Sequence, residues 1–170
     1  MIKTESQASA PADWVPMLIL RVLTGPDWPL WRWLRLTALS DAPHAFTSAV
    51  ADWGCGAERR WRVRFDDPAT YNVAAFIGGR PVGMASGVPA EHAVVELRSV
   101  WVSPLARGKG VGGALIAAVE TWARGRSAAT LRLAVLPANT AAVVLFERHG
   151  FVAATRNGSP DEVVMHKRLC

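Results

Sequence analysis

The sequence predicts a mixed α+β fold, on three observations. Along the chain the hydrophobic patterns follow the order β-α-α-β-β-β-α-β-α-β-β. Three strand-like stretches between Tyr71 and Val102, the last of them visibly alternating and all joined by short turns, make an antiparallel meander. A glycine-rich segment, Gly108 to Gly113, then opens an apolar-striped helix that leads to the next strand as a parallel crossover.

The elements follow in order. Val15 to Leu23 is apolar enough for a first strand, and Thr24, Gly25 and Pro26 punctuate it. Asp27 is a candidate N-cap for a helix with Leu30, Trp31, Leu34 and Ala38 on its apolar face, and Asp41-Ala42-Pro43 ends that helix because proline cannot donate the interior hydrogen bond. Ala45 to Val50 and Ala57 to Phe65 are expected as short helices around a loop containing Gly54 and Gly56. Gly78-Gly79 is a hairpin signal between the strands Tyr71 to Ile77 and Arg80 to Val88. Glu91-His92 turns into Ala93 to Val102, where Val94, Glu96 and Arg98 fall on one face and Val95, Leu97 and Ser99 on the other. Val111, Leu115, Ala118, Val119 and Trp122 share one stripe of the following helix. Thr130 to Leu136 is a strand and Thr140 to His149 a helix stopped by Gly150; Phe151 and Glu162 to His166 seed two last strands.

With 170 residues, 51% of them apolar and 19% charged, the chain reads as one domain over 15–170 behind a flexible lead-in, 1–14. Its longest stretch free of Asp, Glu, Lys and Arg runs from Leu133 to Phe146 and is broken by Pro137 and Asn139. A spanning helix needs roughly 20 apolar residues, so no membrane contact is expected. Met1 to Ala10 lacks the apolar run of a signal peptide, which leads to a cytoplasmic expectation. Two cysteines (Cys55, Cys170) and four histidines (His44, His92, His149, His166) show no ligand spacing, so no metal is expected. The net charge of +5 suits a nucleic acid, an acidic protein or a polyanionic cofactor, and does not choose among them. The arginines are scattered apart from one knot at Arg59, Arg60, Arg62 and Arg64, and there is no basic tail; charge alone decides nothing, a nucleic-acid binder stays a rival reading, and the expectation is no nucleic-acid partner.

The most informative segment runs from Glu96 to Leu115. Glycines at 108, 110, 112 and 113 remove side chains where a helix begins. The first N–H groups of a helix lack internal partners, and the helix dipole adds partial positive charge. Such a mouth suits a phosphate or diphosphate, and Arg107 and Lys109 add full charges. A nucleotide P-loop would need GxxxxGK followed by Ser or Thr, which is missing. The dinucleotide pattern GxGxxG matches at Gly108, Gly110 and Gly113, but Ser103 to Arg107 intervene after the strand and the next strand ends without a carboxylate.

Arg107-x-x-Gly110-x-Gly112, preceded by Val-Trp-Val-Ser-Pro, resembles the acetyl-CoA diphosphate loop of the GNAT superfamily of N-acetyltransferases. A second block, Asn139 to Phe151 with Ala142 and Phe146 inside it, is similar to that family's downstream helix beside the pantetheine arm. Leu36 to Phe46 is similar to the first helix of many small bacterial members, so the resemblance spans nearly all of the chain after about residue 15. It implies a mixed central sheet of about six to seven strands splayed into a V, flanked by about four helices. It further implies acetyl-CoA as cosubstrate. The implied contacts are Val100, Trp101, Val102, Arg107, Gly108, Lys109, Gly110, Val111, Gly112, Gly113, Asn139, Ala142 and Phe146, with Val100 and Val102 bonding the arm through their backbones.

Acetyl transfer to an amine needs a neutral nitrogen, whereas an alkylammonium has a pKa of roughly 10.4. The resemblance makes Glu96 the candidate base, and its charge attracts a cationic amine. One departure concerns the leaving thiolate. Many members carry a tyrosine as its acid where this chain has Phe146, and the only tyrosine, Tyr71, begins a distant strand. His149 is a substitute, although its Arg-His-Gly-Phe context is that of a helix end. Among eight tryptophans, Trp31, Trp61 and Trp122 lie on apolar stripes, while Trp28, Trp33 and Trp53 fall in the region that forms the acceptor wall in this family. The expected function is transfer of acetyl from acetyl-CoA to a primary amine of a small molecule in a ternary complex. The alternatives are a protein N-terminal or lysine acetyltransferase and a non-catalytic acetyl-CoA-binding module. Homodimers are common in the family, but the residues here do not reveal one.

Overall fold

A computed structural model describes residues 16–45, 58–154 and 161–169. Its strands are β1 (Leu18–Val22), β2 (Tyr71–Ile77), β3 (Arg80–Pro89), β4 (Val94–Val102), β5 (Thr130–Val135), β6 (Val152–Ala153) and β7 (Val163–Arg168). The α-helices among the described residues are α1 (Trp28–Asp41), α2 (Glu58–Val63), α3 (Val111–Gly125) and α4 (Thr140–Arg148). The expected helix at 45–50, the lead-in, Trp53, Cys55 and Cys170 fall wholly or mostly outside the described residues. No described helix is long and apolar enough to cross a membrane.

The strands form one seven-stranded sheet in the order β1-β2-β3-β4-β5-β7-β6. The β1 to β4 pairings are antiparallel, β4 and β5 run parallel, and β7 pairs antiparallel with both β5 and β6. This is the mixed, splayed sheet that the sequence led one to expect. The α3 crossover supplies the parallel step. The hairpin at Gly78-Gly79 forms with positive φ at both glycines (57° and 76°), which glycine tolerates without a Cβ clash.

Helices cover both faces. On one, Val111, Leu115, Ile116, Val119 and Ala123 of α3 bury against Val95, Leu97, Leu131 and Leu133, joined by Phe146 and Phe151. On the other, Trp31, Leu34 and Ala38 of α1 and Trp61 of α2 bury against Ala74, Met84 and Trp101. Removing a side chain such as Leu34 or Leu115 from water contributes about 1.5–3 kcal/mol each.

Two local expectations are corrected. Asp27 occupies the N-cap position of α1 without capping it. Its carboxylate turns back to accept from the Thr24 N–H (2.9 Å) and hydroxyl (3.2 Å) and to pair with Arg21 at 3.2 Å, closing the preceding 3₁₀ turn. The buried stripe of α3 holds the expected Val111, Leu115 and Val119 but extends to Ile116 and Ala123, leaving Ala118 and Trp122 half-buried on its other side. Trp122 stacks on Tyr71 at 5.2 Å and lies so close over Gly87 that a Cβ there would meet its ring at 2.6 Å.

A β-bulge decides how β4 presents its residues. Ser86 of β3 faces Arg98, but Met84 faces Trp101, so β4 carries one extra residue between them. Ser99 takes it up with φ of 56°. The alternation therefore switches. Val95 and Leu97 face α3, and beyond the bulge Val100 and Val102 take that side while Trp101 crosses to the α1 core.

Candidate active site

Strands β4 and β5 pair over three positions only: Val94 with Thr130, Val95 with Leu131 and Glu96 with Arg132. Beyond Glu96 they part. β4 runs on to Val102 beside β3, and β5 continues beside β7. The result is a V with Glu96 and Arg132 at its apex. At the far end of β4 the Ser103 N–H donates to the Val82 carbonyl at 2.8 Å, pointing towards β3. Backbone groups alternate sides along a strand, so those of Val102 and Val100 point into the gap. An extended ligand can bond there as an added strand would.

The loop from Ser103 to Gly110 closes the mouth of the V and delivers the chain to α3. Gly110 is the N-cap of α3 with φ of 78°, and the first helical bond is Ala114 N–H to the Gly110 carbonyl at 3.0 Å. That leaves the N–H groups of Val111, Gly112 and Gly113 without a carbonyl four residues back. Gly108, Lys109 and Gly110 are exposed, and a Cβ at Gly108 or Gly110 would meet nothing within 4 Å. The other two glycines have a different reason. A Cβ on Gly112 would lie 3.0 Å from Leu145, and one on Gly113 2.8 Å from Nε2 of His149. They let α4 pack against the start of α3, so the helix mouth and the wall beside it are fixed together. Val111 itself is buried in the core.

Arg107 does not extend freely from this loop. Its Nε donates to the Val102 carbonyl at 3.1 Å, and its Nη2 to Asp41 at 2.5 Å. The same Asp41 oxygen accepts from the Trp101 indole N–H at 3.0 Å. Asp41, read from sequence only as part of a helix stop, thus ties the end of α1 to both β4 and the loop.

Glu96 is held on both sides. Arg98 donates through Nε (2.7 Å) and Nη2 to one carboxylate oxygen, and Arg132 of β5 reaches the other. Partial burial pushes the Glu96 carboxyl up, but the hydrogen bonds and charges of Arg132 and Arg98 outweigh it, leaving the group below the ordinary carboxylate value. It is therefore a firmly ionised, weak base. Arg132 could not be linked to Glu96 from sequence, because the β4–β5 register was not readable there.

On the α4 side, the Asn139 side chain caps the helix by accepting from the Ala142 N–H at 3.3 Å. Ala142 is half-buried. Phe146 is 6% exposed and packs edge-on against Phe151 at 5.8 Å, so it belongs to the core that backs the gap. Tyr71 pairs with Gly87, well along β3 from the Gly83–Val102 pair beside the loop, and burial pushes its phenol up. Of the tryptophans assigned to the acceptor wall, Trp28 is half-buried beside the α1 core under the Arg62 guanidinium (5.7 Å), and Trp33 is half exposed. No group of three or more His, Cys, Asp or Glu suited to a metal occurs among the described residues.

Comparisons with known proteins agree with this geometry. Residues 28–151 match the model of the acetyltransferase (GNAT) family. A mycothiol acetyltransferase from Thermobispora bispora is 33% identical over 137 residues; these are 77% of this chain but 45% of that protein, so the chain spans less than half of its relative's length. Among solved structures, a GNAT-family acetyltransferase from Streptococcus pneumoniae superposes with a TM-score of 0.74 at 19% identity, covering 91% of this chain and all of the other. The PaiA N-acetyltransferase of Thermoplasma acidophilum, solved in complex with coenzyme A, gives 0.69 at 15% identity over 89% of this chain and 99% of that one. At such identities the two structures speak for the fold alone. With the family model matched over well more than half of its length, the chain belongs to the GNAT family of acetyltransferases.

Proposed function

We propose that the protein transfers the acetyl group of acetyl-CoA to a primary amine of a small molecule by direct attack in a ternary complex. The observation that carries this reading is the V: a gap edged by the backbones of Val100 and Val102, with a row of free helix N–H groups at its mouth and an ionised glutamate at its apex. The diphosphate is assigned to the N–H groups of Val111 to Gly113, with Lys109 beside them, and the pantetheine arm to the open edge of β4. The thioester then lies near the apex. The amine nitrogen forms a bond to the carbonyl carbon as the carbon–sulfur bond breaks, and coenzyme A departs with the electron pair. Glu96 takes the ammonium proton, directly or through water. With Phe146 buried and Tyr71 remote, no tyrosine serves the sulfur, and the thiolate takes its proton from solvent.

The test is thiol release from acetyl-CoA with a broad panel of amines, the products being identified by mass. Turnover of one or more amines supports the proposal. Coenzyme A binding without turnover of any amine, peptides included, favours a non-catalytic acetyl-CoA-binding module. Turnover of peptides alone favours a protein acceptor.

A further inference from the structure

His149 has no part in the proposed transfer, and its ring lies at the mouth of the V rather than at the apex. It is the C-cap of α4, with its backbone N–H donating to the carbonyls of Leu145 (3.2 Å) and Phe146 (3.0 Å), which fixes where the side chain starts. A Cβ on Gly113 would stand 2.8 Å from its Nε2 and 2.9 Å from its Cε1, so the Nε2–Cε1 edge of the imidazole occupies the space of a missing side chain. In a helix the Cα–Cβ direction leans towards the N-terminus, and the edge therefore lies over the first turn of α3. By ordinary bond lengths Nε2 is within about 5 Å of the Gly113 amide nitrogen. That amide is one of the three N–H groups with no carbonyl four residues back.

Two helix ends act on this ring in opposite senses. The C-terminus of α4 beneath it carries partial negative charge and favours an imidazolium, whereas the N-terminus of α3 beside it carries partial positive charge and opposes one. The charged side chains around it, among the described residues, add little to either side. Lys167 of β7 reaches the adjoining Gly150, its Nζ 3.9 Å from where a Cβ would stand, but Glu120 of α3 holds that ammonium at 2.7 Å and pairs with Arg124 at 2.7 Å as well. Glu147 and Arg148 of α4 and Lys109 of the loop are exposed, so water and salt screen them. Arg107, the cation expected at the mouth, is engaged by Asp41 and the Val102 carbonyl. An anion on the N–H groups of α3 reverses the sign of the field there and tips the ring towards its cation.

We infer that His149 is a diphosphate-binding residue: its ring gains a second N–H proton from solvent as coenzyme A binds, and the imidazolium beside Gly113 is the cation that Arg107 does not supply. This rests on the proposed acetyl-CoA site. Histidine is the side chain suited to the task, because it exchanges its charge between about pH 5 and 8. An anion that favours the protonated ring must, by linkage, bind more tightly where protons are more abundant. Glycine at 113 belongs to the same device, since any side chain there would push the imidazole off the turn.

Dephospho-coenzyme A is the probe, because its diphosphate stays ionised across neutral pH and it lacks the phosphate monoester that titrates near pH 6. Calorimetry in PIPES and in Tris, two buffers of unlike ionisation enthalpy, reads the protons taken up on binding. Near pH 7 the protein should take up on the order of half a proton per ligand, and affinity should fall about threefold to tenfold from about pH 6 to about pH 8.5. Glu96, held below the ordinary carboxylate value, stays charged over that range and does not contribute. His149→Gln should lose the uptake and bind at every pH with the weaker affinity of the unaltered protein at high pH, whereas His166→Gln should keep both. If a lowered melting temperature shows that His149→Gln does not fold, NMR of the unaltered protein decides: the His149 ring protons should titrate at higher pH with the ligand than without it. Binding without proton uptake, uptake that survives in a folded His149→Gln, or a His149 titration that the ligand leaves unmoved would overturn the inference while the coenzyme A site stands. No binding of dephospho-coenzyme A or acetyl-CoA at any of these pH values would instead remove the site itself, and acetyl transfer with it.

Discussion

Glu96 and Arg132 face each other in the last pair of residues that β4 and β5 share, and their side chains join across the point where the strands part. The ion pair therefore pins the apex of the V while Arg98 holds the other oxygen of the same carboxylate. The proposed proton transfer, the ion pairs across the apex and the shape of the gap all meet at this one group.

Replacement of Glu96 by Gln should lower kcat on the order of 10²-fold, the low end for a general base because the group is a weak one. Calorimetry should show coenzyme A affinity unchanged. The same variant tests the linkage. A carboxyl whose folded pKa is depressed stabilises the fold above its unfolded value, about 4.3, and loses that contribution as pH falls through the folded value. Melting temperatures of the two proteins should therefore differ at neutral pH and converge under acid. A difference that persists undiminished at acid pH would contradict the charge assignment.

Arg132→Met should release one oxygen of Glu96 and let its pKa rise towards the ordinary value. The acid limb of the kcat profile then moves to higher pH, while stability falls by only about 0.2–1 kcal/mol, since both partners are partly exposed. An unmoved acid limb would mean that Glu96 is not the group titrating in turnover.

Asp41→Asn should weaken coenzyme A binding about threefold to tenfold, although Asp41 is placed at the end of α1, because it holds Arg107 and Trp101 against the loop. Arg107→Ala should have an effect of similar size, and the double variant should be no worse than the single ones. Additive losses in a calorimetric double-mutant cycle would show that the two act separately.

Gly110→Ala and Gly113→Ala should fail for different reasons. At 110 there is open space but φ is 78°, so the change costs about 1–2 kcal/mol of backbone strain. At 113 the new Cβ meets the His149 ring at 2.8 Å. His149→Ala should therefore rescue the denaturation midpoint of Gly113→Ala and leave that of Gly110→Ala unrescued.

Phe146→Tyr should not create the missing acid. The ring is buried against Phe151, and a hydroxyl added there without a partner costs about 1–3 kcal/mol. Denaturant unfolding should show the loss with kcat no higher than before; a faster enzyme would place residue 146 in the reaction.

By itself the sequence determined the pattern of elements, the crossover at Gly108 to Gly113 and the helix stop at Asp41, because period, turn chemistry and helix ends are local properties. It also marked Glu96 and the strand running to Val102. Tertiary structure alone decided what surrounds them. The bulge at Ser99 reverses the facing of Val100, Trp101 and Val102, and nothing in an alternating pattern announces an inserted residue. The β4–β5 register sets Arg132 on Glu96, and the packing of α1 and α2 sets Arg35 and Arg64 beside Arg98. Arg132 lies 36 positions from Glu96 in the chain, and Arg64 and Arg35 lie 34 and 63 positions from Arg98, and charge couples across space, where sequence order carries no information about distance.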